Sequence, residues 1–488
     1  MINKTKNLVL FSRCQLTDLN AKIAPHLSSE HKIIHLAFSD FEEKKLNEEY
    51  AIKDVINFSR EIDFLLKSEK FDELLLNDID DLIINQSNNR FNLNSCIQSD
   101  RPSQFLDYKQ SSILMQVYYK FWESFISKHK VDFLLHENVS LSFNLLASIV
   151  LKKYNSKYIS LFTAYGLNEY DFIICSGEDC VFDELVNENK KSVLTDEERV
   201  RVNKFLQNFR NVDNTLLNNI SKNNLTFFRS IYLSLKYFYY FILSRFKLLR
   251  LENIINNSVK YYELMNVITD NTLSKIWNNY FFTTYDKFDR TNNFYYYPIH
   301  LEPEATVLYW ADGIYKNQVK LIENIAGQLP PNLLLYVKDH PHSECYRDYR
   351  DYYRLKSIPN VKLIHPKVSG KHIIKYSKGL ITLNGTSGFE ALLFNKPVFT
   401  FGNAFYNSFK RVNYIHNIRD LRKTMYDSLD INYKDDHDLF QFVGNYLKKT
   451  KEGFVEYFID YPKIFKIDEE VNTIKVANGL LKYVNKHK

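Results

Sequence analysis

Residues 379–402 read GLITLNGTSGFEALLFNKPVFTFG. An apolar strand runs to Leu383, and a loop of small residues follows from Asn384 to Gly388. A helix is expected over 388–394, and PVFTFG supplies the next strand. Gly385 and Gly388 let the backbone turn sharply and come close to a ligand. Thr386 and Ser387 set hydroxyls beside the unpaired amides of a helix N-terminus, a combination that suits a phosphate. Glu390, one turn in, can accept hydrogen bonds from ribose hydroxyls. The same Ser387-x-x-Glu390 spacing also fits a capping box that needs no ligand.

The alternation of strand and helix extends outward from this segment. Upstream, LLLYVKDHPHSE (333–344) ends a strand and presents Lys338, Asp339 and His340 at its carboxyl edge. A Lys and a His placed there can neutralise a nucleotide phosphate without metal, and His340 can protonate it as it leaves. Further upstream, YYYPIHLEPEA (295–305) gathers His300, Glu302 and Glu304 with Pro298 and Pro303. It reads either as a stiffened interdomain hinge or as a wall for a nucleotide or a sugar carboxylate. TVLYWA is expected to be extended, 316–328 and 370–377 helical, and VKLIHP a strand. These elements define a C-terminal Rossmann-like domain over 291–450.

The N-terminal half opens in the same way. NLVLFS (7–12) and HKIIHLAF (31–38) read as strands around a helix at 16–27, a β-α-β start without a glycine fingerprint. After a polar, helical stretch over 40–100, VDFLL (131–135) delivers His136-Glu137-Asn138 to its loop, and Ser140 is placed to cap a helix over 141–154. KYISLF (157–162) and DFIICS (171–176) come next. In an open α/β sheet, ligands bind beyond the carboxyl ends of the strands. Glu137 is therefore the leading carboxylate, as base or nucleophile. Glu178 and Asp179, after the last strand, stand behind it. Asp171 ranks lower because it begins a strand. Domain limits are expected at 1–190, a helical insert at 191–290, the second domain at 291–450 and a helical tail at 451–488.

Composition narrows the function class. With 488 residues, two domains are the default, and 45% hydrophobic content excludes global disorder. The net charge of +6 is scattered, so no nucleic-acid partner is expected. Five cysteines, Cys14, Cys96, Cys175, Cys180 and Cys345, form no CxxC pair and read as free thiols of a reducing cytoplasm. No signal peptide and no run of about 18 apolar residues is present, so a cytoplasmic protein without membrane spans is expected. One stretch, FFRSIYLSLKYFYYFILSRFKLLRL (227–251), interleaves aromatics with Arg229, Lys236, Arg245, Lys247 and Arg250. On a helix it is basic and amphipathic, suited to peripheral contact with the inner membrane or to covering apolar surface between domains.

Five ordered motifs carry a family resemblance: Pro298-Ile299-His300-Leu301-Glu302-Pro303-Glu304, Lys338-Asp339-His340-Pro341, Ile358-Pro359-Asn360-Val361, Asn384 to Leu392, and Phe401 to Tyr406. Together they resemble the capsule polysaccharide biosynthesis family, which includes retaining β-Kdo transferases of bacterial capsules and lipopolysaccharides. The region 190–290 matches no family pattern. The resemblance implies a glycosyltransferase B-type α/β fold, two Rossmann-like domains facing across a cleft, with the helical insert between them. It implies a metal-independent enzyme with no cofactor, taking a CMP-activated 3-deoxy-2-ulosonic acid, Kdo or a nonulosonic acid such as pseudaminic acid, to a surface glycan, lipid-linked or free. His340, Thr386, Ser387 and Gly388 would bind the CMP phosphate, with Lys338, Gly385, His300 and Glu304 around it and Glu390 on the ribose. Retention would use a carboxylate nucleophile, Glu137, or else Glu178 or Asp179. The rivals are a polyol-phosphate transferase using CDP-glycerol or CDP-ribitol, and a non-catalytic polysaccharide assembly factor.

Overall fold

The apolar run Asn7–Ser12 forms β1, with five of its six residues fully buried, and pairs in parallel with β2 (Lys32–Ala37). The helix Leu16–Leu27 between them lays Leu19, Ile23 and Leu27 on the sheet, as its amphipathic spacing demands. The computed structural model describes residues 5–164, 171–177, 194–211, 232, 235, 239, 285–302, 304–340, 347–429, 437–455 and 466–487. A short strand inside the polar stretch, β3 (Val55–Asn57), extends the sheet beyond β2. On the other side of β1 lie β4 (Phe133–Leu135), β5 (Lys157–Thr163) and β6 (Phe172–Ser176), giving the order β3-β2-β1-β4-β5-β6. All neighbours are parallel except β5 and β6.

The chain divides into two units, the first built from Met1–Asp183, Ile242–Asn266 and Thr450–Lys488, the second from Glu184–Phe241 and Val267–Lys449. The expected tail thus returns to the first unit. Its helix Glu469–Lys486 buries Val476, Leu480, Tyr483 and Val484 with Leu8, Leu19, Phe133 and Ile174. On the opposite face of the sheet, Phe11, Phe38, Phe58, Trp122 and Phe143 form an aromatic core.

The second unit repeats the plan. Its strands are β7 (Phe294–Pro298), β8 (Leu334–Lys338), β9 (Val361–Ile364), β10 (Gly379–Thr382), β11 (Val398–Thr400) and β12 (Val412–Tyr414), all parallel, in the order β12-β11-β10-β7-β8-β9. Counted from each sheet's first strand, both orders are 3-2-1-4-5-6, the dinucleotide-fold order, so each unit is Rossmann-like.

Two expectations are corrected here. The Tyr-rich start of the segment read as either a hinge or a ligand wall is β7, the central first strand of the second sheet, with Tyr295, Tyr296 and Tyr297 all buried, so the hinge reading fails there. A central parallel strand is apolar on both faces and so shows no alternation. Pro298 is tolerated because it is the strand's last residue, beyond the β7–β10 pairing at Tyr295 and Tyr296. TVLYWA is not extended: Ala305–Leu308 is a helical turn that leads into a tight bend. Of the basic stretch 227–251, the described residues are Tyr232, Leu235 and Tyr239, which are helical and exposed. Its arginines and lysines lie outside the described residues. No helix among the described residues is long and apolar enough to cross a membrane.

Candidate functional site

In this strand order, the loops after strands 1 and 4 leave the sheet in opposite directions and open a crevice at its carboxyl edge. In the second unit that point lies after β7 and β10, which brings His300 against the small-residue loop. The His300 Nε2 lies 3.2 Å from the Thr382 hydroxyl, which also accepts the Gly385 N–H at 3.2 Å. A Cβ on Gly385 would stand 3.0 Å from the His300 ring, and one on Gly388 would stand 2.1 Å from the Tyr406 hydroxyl. That hydroxyl donates to the Gly385 carbonyl at 2.5 Å. The two glycines are thus fixed by close neighbours.

The helix Thr386–Leu393 starts two residues earlier than the sequence predicts. Its N-cap is Gly385, and no side chain caps it. The capping box of Ser387 and Glu390 does not form, because both residues already lie inside the helix. The Thr386 and Ser387 amides are thereby left for an anion, while the Gly388 amide bonds the Gly385 carbonyl at 3.0 Å. Asn384, nine-tenths buried, donates from Nδ2 to the Thr306 carbonyl at 2.9 Å while its Oδ1 has no partner among the described residues.

Lys338 ends β8 and is 5% exposed. Burial lowers its ammonium to about 8, against the opposing pull of Asp339 and Glu390. Glu390 is pushed up to about 7 by burial, resisted by Lys371 and Lys338. Lys371, buried on the helix Gly370–Tyr376, sits 3.7 Å from the Phe209 ring centroid. Lys338, Lys371 and Glu390 therefore form one charge cluster beside the uncapped helix. Lys371 was invisible in the sequence, where nothing links it to the loop.

The remaining predicted residues divide by role. His300 is buried and held below its ordinary value, at about 4, by burial and by Arg347, so it is neutral. Its backbone is clasped by Gln318, which accepts the His300 N–H at 2.8 Å and donates to its carbonyl at 3.0 Å. It buttresses the loop and brings no charge. Glu302 is spent on Gln318 and on Arg347, which also bonds Asp339 at 3.0 Å and the His300 carbonyl at 3.1 Å. Glu304 precedes the turn Ala305–Leu308 and accepts from the Thr306 hydroxyl at 3.2 Å. His340 is half-buried, two residues past the end of β8.

In the first unit the corresponding point lies after β1 and β4, and it joins Arg13 to Glu137 in an ion pair. Burial raises the Glu137 carboxyl, but Arg13, His136, the Ser140 hydroxyl and Arg101 outweigh it and hold the group below its ordinary value. Glu137 is therefore an ionised, accessible carboxylate. Ser140 does not cap the next helix: its hydroxyl donates to Glu137 at 3.1 Å. The helix Ser142–Lys153 is capped instead by Asp100, which accepts the Ser142 N–H at 3.0 Å. His136 is fully buried and donates from Nδ1 to the Phe11 carbonyl at 2.9 Å.

The direction of β6 reverses one expectation. Because β6 is antiparallel, Phe172 pairs with Thr163 at the carboxyl edge and Ser176 pairs with Ile159 toward the start of β5. Gly177, which precedes Glu178 and Asp179, therefore lies toward the wrong edge for catalysis beside Glu137. Glu178 and Asp179 themselves lie outside the described residues. Asp171, set aside as a strand start, comes to the carboxyl edge and is buried there. It stands two strands from β4, roughly 10 Å away. Strand direction was the missing signal. Among the described residues, no group of His, Cys, Asp or Glu side chains is arranged to hold a metal ion.

Residues 198–410, which include the crevice residues of the second unit, match the family model for capsule polysaccharide biosynthesis proteins. The matched residues make up less than half of the chain. The match begins at 198, inside the helical region where the sequence showed no family pattern. A curated relative, the capsule polysaccharide export protein KpsS of Escherichia coli, is 27% identical over 150 residues, which cover 29% of this chain and 36% of KpsS. The match thus spans about a third of that protein's length. Among solved structures, the β-Kdo 2,4-transferase KpsC of Thermosulfurimonas dismutans is 16% identical with a TM-score of 0.35, covering 66% of this chain and 82% of KpsC. The UDP-GlcNAc 2-epimerase of Methanocaldococcus jannaschii is 14% identical with a TM-score of 0.28, covering 91% and 99%. The fold of this chain rests on its own strand order.

Proposed function

We propose that this chain is a glycosyltransferase of capsule assembly that moves a 3-deoxy-2-ulosonic acid from CMP to a glycan hydroxyl. The observation that carries the reading is the crevice after β7 and β10. It combines an uncapped helix start, two sterically fixed glycines, an unpartnered Asn384 oxygen and a buried Lys338. That set suits one phosphate attached to a nucleoside. Thr386, Ser387, Gly388, Lys338 and His340 would hold the phosphate, Glu390 the ribose, and Glu304 the outer wall.

Glu137 of the first unit is the proposed nucleophile. Its carboxylate oxygen attacks the anomeric carbon while the bond from that carbon to the CMP phosphate oxygen breaks, its electron pair leaving with CMP. An acceptor hydroxyl then attacks the same carbon, the glycosyl–Glu137 bond breaks, and the hydroxyl proton is released to water. Two inversions give retention. The charge of departing CMP is met by fixed donors.

Thermal shift with CMP, CDP, UDP and GDP tests the nucleotide. A ligand at about 100 times its Kd adds roughly 2.7 kcal/mol to the fold. Selective stabilisation by CMP, lost in His340→Ala, is expected, followed by transfer from CMP-Kdo or CMP-pseudaminic acid. Selective stabilisation by UDP overturns the donor, and no response to any nucleotide overturns the enzyme reading in favour of an assembly factor.

A further inference from the structure

Among the described residues, Arg101 is a half-buried cation without a counter-ion. Its guanidinium donates to the Ser140 carbonyl at 3.3 Å, and its Nε is buried with no partner there. The carboxylate next to it in sequence, Asp100, is consumed by the Ser142 N–H at 3.0 Å and by the N–H and hydroxyl of Ser103 at 3.1 and 2.7 Å. The carboxylate that feels Arg101, Glu137, is ion-paired with Arg13. Two guanidiniums therefore stand over one available carboxylate, at the carboxyl edge of β1 and β4. A partly desolvated guanidinium with donors unspent is costly unless an anion arrives to use them.

This inference rests on the proposed reading of function. A 2-ulosonic acid carries its carboxylate on the anomeric carbon itself, one bond from the atom that Glu137 would attack. Two anions brought that close repel strongly in a partly desolvated site. A carboxylate nucleophile for such a sugar needs a second cation beside it, and Arg13 alone is already matched by Glu137. We propose that Arg101 receives the donor's anomeric carboxylate, its planar fork matching the two oxygens, and so selects ulosonic acids over neutral sugars.

The test uses the full chain and its Arg101→Met and Arg101→Lys variants. CMP-Kdo and its C1 carboxamide serve as donors, and CMP affinity is measured alongside. Arg101→Met is expected to lower kcat/KM for CMP-Kdo by about 100-fold, the scale of losing one charge-assisted, bidentate contact. It should leave CMP affinity within twofold and change the carboxamide reaction little, and Arg101→Lys should recover part of the loss. Equal losses with both donors, or a loss confined to the acceptor KM, overturn the assignment, because a structural or acceptor role gives those patterns. So does an Arg101→Met variant within threefold of the parent. If the parent transfers no CMP-ulosonic acid at all, the functional reading fails and this inference falls with it.

Discussion

Two glycine-to-alanine changes in the second unit should move stability in opposite directions. In Gly388→Ala, the new methyl would sit 2.1 Å from the Tyr406 hydroxyl and 2.5 Å from the ring carbon that bears it. Tyr406 is fully buried and cannot swing aside without dropping its bond to the Gly385 carbonyl. Overpacking costs about 1–3 kcal/mol, and a lost internal hydrogen bond adds about 1. The sum, about 2–4 kcal/mol, lowers the melting temperature of a unit this size by roughly 5–15 °C. Gly327 lies in the helix Gln318–Gln328 with nothing within 4 Å of its added methyl. Gly327→Ala should therefore gain about 0.5–1 kcal/mol from helix propensity. Calorimetry of both variants, with CMP affinity measured alongside, checks the pair. A Gly388→Ala protein that melts within 1–2 °C of the parent would refute the argument that Tyr406 locks this loop.

Lys338 gives a pH signature. Its ammonium, near 8 in the fold against an ordinary value of 10.5, discharges as pH rises through 8. Nucleotide affinity should then fall by up to about tenfold per pH unit above 8, while the ligand-free fold gains stability between 8 and 10.5, because the unfolded chain binds the extra proton there. Titration calorimetry at pH 7, 8 and 9 checks the first sign, and a Lys338→Met profile that keeps the slope would count against it. Arg347 joins Asp339 and Glu302 in one buried network. Arg347→Met strands both carboxylates and should cost about 3–5 kcal/mol in urea unfolding. Adding Asp339→Asn and Glu302→Gln should return at least half of it; a single variant within 1 kcal/mol of the parent refutes the network.

Much of this plan is written locally in the chain. The helix Leu16–Leu27 and the strand Asn7–Ser12 fall where apolar periodicity puts them. The Asn384–Gly388 loop is legible because its small residues interrupt a strand and a helix. The sequence hides pairing. Tyr295–Tyr297 can be read as part of a hinge until β8 and β10 flank it, since an aromatic run ending at a proline has no period to read. The antiparallel turn of β6 decides that Asp171, and not Gly177, reaches the carboxyl edge, and strand direction leaves no local trace. Arg101 and Lys371 escaped for a related reason. Each meets its site through residues distant in the chain, Ser140 in one case and Glu390 in the other.

The same strand order occurs twice, yet the two crevices are equipped for different chemistry, and the helix starts show why. After β10 the helix begins at an uncapped Gly385, so backbone amides are available and a phosphate can be held with little side-chain charge. After β4 the helix begins under the Asp100 carboxylate, which occupies the Ser142 amide and offsets the dipole there. At that end of the first sheet Asp100 already holds the Ser142 amide, so an anion arriving there leans more on side chains, and Arg13 and Arg101 are the cations that act on the ionised Glu137. Removing the Asp100 carboxylate should therefore free the helix start and weaken the dependence on Arg101. In an Asp100→Asn background, Arg101→Met should cost less in kcat/KM than it does alone. An equal cost in both backgrounds would mean that the helix start and Arg101 serve separate purposes.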